Sequence, residues 1–178
     1  MASIVHEPRV PKPVATTLLA WIAMIGVDLF LHAGVLAPLY DWDSPFLLSP
    51  LEAFVRIPAG YLAFGILAAG LVWLLPRLDV GGARAGAVVA GAAGAVGWGA
   101  LLLGTWSISS ADPVLLVGWW LGQSAAMAVA GAVIGLSIGG ARRRTLGAAV
   151  GAVLLIGVVT AVALQSIGYA TAPVIIGP

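Results

Sequence analysis

Two pairs of ionisable residues stand four positions apart within stretches that are otherwise apolar. Asp28 and His32 form the first pair, and Glu52 and Arg56 form the second. Residues at i and i+4 of an α-helix share one face and lie about 6 Å apart along the axis. Two acids, an imidazole and a guanidinium at one level can pair with each other, exchange protons or hold a polar ligand.

This set of residues leaves several roles open. In a proton relay, Asp28 and His32 would exchange protons while Arg56 keeps the aspartate ionised. In an anion site, Arg56 would bind a carboxylate or a phosphate. In a metal site, His32, Asp28 and Glu52 would be the ligands, but Arg56 would repel a cation, so we predict no metal. The structural alternative is an ion-paired clamp that fixes the first helix to the second.

The stretches that carry these pairs are long enough to cross a bilayer. The chain is 61% hydrophobic and 8% charged, whereas soluble domains carry about 25% charged residues. Apolar runs cover residues 14–39, 51–75, 84–106, 113–138 and 145–170, and each exceeds the roughly 20 residues that a span needs. We therefore predict an all-α integral membrane protein, a bundle of five transmembrane helices at residues 14–170, with an irregular tail at residues 1–13 and a short tail at residues 171–178.

The positive charges predict the orientation of the spans. Apart from Arg56, they lie in the first tail and in the second and fourth connections, namely Arg9, Lys12, Arg77, Arg84, Arg142, Arg143 and Arg144. The other connections hold acids without Lys or Arg, namely Asp41, Asp43 and Asp112. The positive-inside rule then predicts a cytoplasmic N-terminus and an outer C-terminus, which places both ionisable pairs under the outer head groups. The bias toward arginine, glycine, alanine and valine is typical of GC-rich prokaryotes, so we expect a multi-pass protein of the plasma (inner) membrane.

Small residues recur at helical spacing in the last three spans. The stripes are Ala83, Ala87, Gly91, Ala95 and Gly99 in span three, Gly118, Gly122, Ala126 and Ala130 with Gly131, Gly135 and Gly139 on another face of span four, and Gly147 and Gly151 in span five. Such stripes let helices approach closely in lipid. We expect them to serve packing within the bundle, or, because span four has two faces and one could be free, an interface with a second copy or another membrane protein.

Two further features complete the expected bundle. Its short connections favour the packing of successive spans against each other. Gln123 and Gln165 are secondary polar residues that could hydrogen-bond between spans or extend the polar site.

The sequence also narrows the classes of function. A net charge of +1 argues against nucleic acid, and the absence of cysteine excludes thiolate metal sites and thiol catalysis. One spanning histidine, His32, is too few for a bis-histidine haem within one chain, and no Walker, HExxH or GxSxG motif is present. We therefore predict no cofactor and no catalytic residue.

We favour a non-enzymatic accessory or transport-type subunit with an outer-leaflet polar pocket. Asp28, His32, Glu52 and Arg56 would build this pocket, which would bind a small polar or anionic ligand or relay protons. One alternative is a purely structural partner subunit of a membrane complex, with the charges as a clamp. The other is a membrane enzyme acting on a lipid or quinone with His32 as its base, although no recognised catalytic group accompanies this histidine.

Overall fold

Five helices long and apolar enough to cross a membrane form the described part of the chain. The computed structural model describes residues 13–40 and 44–169. The helices are α1 (Pro13–Phe30), α2 (Pro50–Leu74), α3 (Ala83–Ile108), α4 (Pro113–Ile138) and α5 (Arg143–Ser166). The predicted all-α fold with five membrane-spanning helices is confirmed. The predicted tails, apart from Pro13, and the loop residues Asp41 and Asp43 lie outside the described residues.

The end of α1 departs from α-helical geometry. The chain continues into a π-helical turn at Leu31–Val35, closed by the Leu36 amide donating to the Leu31 carbonyl at 2.6 Å, and then into a 3₁₀ turn at Ala37–Leu39. Pro38 lies in this 3₁₀ turn, and proline has no N–H to continue an α-helical ladder. The chain therefore leaves the helix one turn after His32.

Glycine allows two helix pairs to touch backbone to backbone. In the α3–α4 pair, a Cβ at Gly86 would meet the carbonyl oxygen of Gly131, and the Gly82 amide donates to the Gly135 carbonyl at 2.8 Å. In the α1–α5 pair, a Cβ at Gly157 would meet the carbonyl oxygen of Gly26. Such approaches replace the hydrophobic drive that lipid removes.

Both small-residue faces of α4 are covered within the chain. Gly131 and Gly135 pack against α3, while Gly118 lies against Leu39 and Gly122 lies against the His32 ring. The expectation that span four keeps a free face is therefore wrong. On α5, by contrast, a Cβ at Gly147 or Gly151 would have no described neighbour within 4 Å.

The helices do not pack in chain order. α1 contacts α2, α4 and α5, and α3 packs mainly on α4, whereas α2 and α3 hardly touch. The prediction that successive spans are packing neighbours is wrong for this pair. α4 packs on the glycine face of α3, and the side of α2 that lines the space carries the bulky rings of Tyr61 and Phe64. A space consequently remains between α2 and α3.

Candidate functional site

A cavity of about 1040 Å³ fills the space between α2 and α3. Its apolar wall comes from these two helices. α2 contributes Ala53, Phe54, Ile57, Gly60, Tyr61, Ala63, Phe64, Ile66 and Leu67. α3 contributes Ala93, Gly97, Trp98 and Leu101. Apolar cavities of this size with a few convergent polar groups are typical of small-molecule sites.

The cavity opens toward the surface that faces lipid. Ile66 of α2 is 67% exposed and Leu101 of α3 is 57% exposed, and both also line the cavity. Because α2 and α3 do not close on each other, an apolar molecule in the bilayer has a lateral route between them.

The polar groups of the cavity gather on the opposite wall. Asp28 of α1, His32 of the π-helical turn, Gln123 of α4 and Gln165 of α5 line it, together with Tyr40 after the 3₁₀ turn. An entering molecule would meet apolar side chains first and polar side chains last.

His32 is held on one side of its ring. Its Nδ1 lies 2.8 Å from the Tyr40 hydroxyl, which also accepts a hydrogen bond from Trp119 Nε1 at 2.9 Å. Tyr40 lies beyond the first membrane span, and burial raises the pKa of its phenol above the ordinary value, so the hydroxyl keeps its proton at neutral pH. If the phenol donates to Nδ1, the other ring nitrogen is a donor; if Nδ1 donates, that nitrogen is an acceptor.

Two buried polar atoms beside the cavity lack a hydrogen-bond partner among the described residues. They are Nε2 of His32 and Oε1 of Gln123. Gly122 gives the His32 ring its place, because a Cβ at that position would meet Nε2. An unsatisfied buried polar group costs about 1–3 kcal/mol.

Asp28 also lines the cavity without a partner. Its carboxylate forms no hydrogen bond or ion pair with any described residue, including His32 four positions further on. The predicted contact between Asp28 and Arg56 is therefore wrong.

Glu52 and Arg56 lie outside the cavity, on an exposed part of α2. The Glu52 carboxylate caps the helix start, since Oε2 accepts from the Ser49 amide at 3.3 Å and from the Ser49 hydroxyl at 2.8 Å. This capping box occupies the acid locally. The four-residue cluster, the inter-helix clamp and the metal site that needed Glu52 are thus not assembled.

The sequence pointed to part of this site. Asp28, His32, Gln123 and Gln165 come together, and Gln165 Nε2 donates to the Ala33 carbonyl in the π-helical turn at 3.3 Å. The contribution of Tyr40, Trp119, Tyr61 and Trp98 was missed, because nothing in their spacing relates them to His32. The Ser49–Glu52 spacing, S-x-x-E before an apolar run, is a readable signal for the capping box.

Comparisons with protein-family models, curated proteins and solved structures found no match for this chain. The function is therefore inferred from the cavity and its lining.

Proposed function

We propose that this protein is a non-enzymatic membrane protein that binds an amphipathic small molecule taken up laterally from the bilayer. The apolar body of the ligand lies between α2 and α3, and its polar head contacts Asp28, His32 and Gln123. One observation carries the proposal: a cavity with a lipid-facing apolar mouth also reaches Asp28, whose carboxylate has no hydrogen bond or ion pair with another described residue. We further propose that it acts as an accessory or transport-type subunit of a prokaryotic inner membrane, with its N-terminus in the cytoplasm.

The lining favours some ligands over others. An anion is disfavoured because the Asp28 carboxylate lines the cavity and Arg56 does not. A direct proton relay has less support, because Asp28 and His32 share no hydrogen bond. A polar head with hydrogen-bonding groups on an apolar chain matches both walls.

Filling the cavity from one glycine of α3 tests the proposal. A Cβ at Gly97 or at Gly104 would have no described neighbour within 4 Å, but Gly97 lines the cavity and Gly104 does not. We expect Gly97→Leu to weaken binding of dodecyldimethylamine N-oxide at least tenfold, because the new side chain takes up ligand space. Gly104→Leu should bind like the unchanged protein. Binding is measured by equilibrium dialysis with the protein in lipid nanodiscs, after subtraction of uptake by empty nanodiscs.

A second glycine pair on α2 repeats the comparison from the facing wall. Gly60 lines the cavity, whereas Gly70 does not, and both have open space at the Cβ position. Gly60→Leu should weaken probe binding and Gly70→Leu should not. Equal binding by all four variants, or no uptake above empty nanodiscs, would contradict the proposal.

A further inference from the structure

We propose that the ligand of this cavity is an organic cation, an amine or ammonium head on an apolar body. The inference rests on the proposed function and specifies its substrate class. It is carried by the charges and ring systems that line the cavity.

The described lining holds an acidic side chain and no strongly basic one. Among its described residues Asp28 is the acid, and none is Lys or Arg. Arg56 belongs to α2, but it is exposed and does not line the cavity. A carboxylate at membrane depth without a partner is costly, and a cationic head would supply the partner that the described residues do not.

His32 is not the partner of Asp28. Its Nδ1 is engaged with Tyr40, its Nε2 has no hydrogen-bond partner among the described residues, and no ion pair joins it to Asp28. The Asp28 carboxylate is therefore left to a cationic group that enters the cavity.

Aromatic rings supply a second attraction for a cation. Phe54, Tyr61 and Phe64 of α2 and Trp98 of α3 line the same cavity, and the rings of Tyr61 and Phe64 have centroids 6.2 Å apart. The faces of such rings attract ammonium groups, most strongly where water is excluded. A neutral amphipath would use the rings and the hydrogen-bonding atoms but would leave the Asp28 charge unpaired.

Two probes that share a chain and differ in head charge test the inference. Dodecyltrimethylammonium is cationic, and dodecyldimethylamine N-oxide has a head of similar size and no net charge. Each is measured below its micelle-forming concentration with the protein in nanodiscs. We expect the cation to bind at least tenfold more tightly than the N-oxide. Asp28→Asn should remove this preference, and Asp28→Glu should retain most of it.

The matched control is Asp79→Asn, because Asp79 is exposed in the α2–α3 connection, outside the cavity lining. Its φ of 56° is a left-handed conformation that asparagine also adopts. Asp79→Asn should leave the preference unchanged. Equal affinities for the two probes, both lowered by Gly97→Leu, would overturn the cation inference and keep the cavity as a ligand site. Affinities insensitive to Gly97→Leu would overturn both. If Asp28→Asn fails to fold, the comparison of the two probes on the unchanged protein decides the inference.

Discussion

The imidazole of His32 is anchored at Nδ1 by Tyr40, and its Nε2 lies against Gly122 of α4. Tyr40 and Trp119 fix the ring through a chain of two hydrogen bonds, and the missing Cβ of Gly122 makes room for it. The hydrogen bond made by one ring nitrogen of a histidine sets which nitrogen carries the proton and how the ring is oriented. At the scale of single residues, the site is therefore prepared by the neighbours of His32 as much as by the histidine itself.

Restoring a methyl group beside the ring should disturb this arrangement. In Gly122→Ala the new Cβ would meet His32 Nε2, so the ring must shift. We expect the free energy of unfolding to fall by about 1–3 kcal/mol, as for other overpacked interiors, and binding of the N-oxide probe to weaken. Detergent-titrated unfolding followed by circular dichroism measures the first effect, and equilibrium dialysis measures the second.

Gly147→Ala is the matched control, because its Cβ would enter open space on α5. Alanine has the higher helix propensity, so the control should be neutral or slightly more stable. Identical behaviour of Gly122→Ala and Gly147→Ala would show that the His32 ring does not depend on this glycine.

The closely packed helix pairs are those in which glycine lets the two backbones touch. α3 and α4 meet along Gly82, Gly86, Gly131 and Gly135, and α1 and α5 meet at Gly26 and Gly157. α2 has no such crossing, and its inner face carries aromatic rings instead. The cavity exists because the closely packed α3–α4 and α1–α5 pairs leave α2 separated from α3.

The α3–α4 crossing should be sensitive to a single methyl group. A Cβ at Gly131 would meet the Gly86 carbonyl oxygen and the Ala90 Cβ. We expect Gly131→Ala to lower the free energy of unfolding by about 1–3 kcal/mol, because the two backbones must separate. Gly151→Ala on α5, which meets nothing within 4 Å, should not. An unchanged unfolding midpoint in Gly131→Ala would contradict the close approach.

The whole molecule is a bundle in which α1 is the common neighbour of α2, α4 and α5. α1 also carries Asp28, and the π-helical turn that continues it carries His32, so part of the polar wall stands on a helix that packs against three others. A site on such a rigid element holds its geometry more precisely than one on a loop. The lipid-facing wall, by contrast, belongs to the two helices that barely contact each other.

The orientation of the bundle in the membrane is open to direct measurement. The chain has no cysteine, so a single introduced thiol reports its own side. We expect Ser44→Cys and Ser110→Cys, in the first and third connections, to react with a membrane-impermeant maleimide in intact cells. Gly81→Cys, in the second connection, should react only after lysis, as the positive-inside rule predicts. The reverse pattern would place the N-terminus outside.

Much of the fold was predictable because its signals are local. Five apolar runs predict five helices without any knowledge of their neighbours, since each span must satisfy its own backbone in lipid. Asp28 and His32 could also be singled out as candidates, because ionisable groups are costly at membrane depth, and both line the cavity. The prediction that Glu52 and Arg56 belong to the polar site was wrong. Both residues lie near the start of α2, where side chains can stay exposed, and Glu52 hydrogen-bonds to Ser49 three residues away.

A five-helix membrane protein with ionisable groups in its first span can be read from the residues alone. The packing of the helices is needed to see that α2 stands off from α3, that Asp28 has no partner among the described residues and that Tyr40 contacts His32. Hydropathy is a sum over each segment, so it needs no partner helix. A cavity depends on which helices pack together. In this bundle the close pairs are set by backbone contacts between glycines that are far apart in sequence.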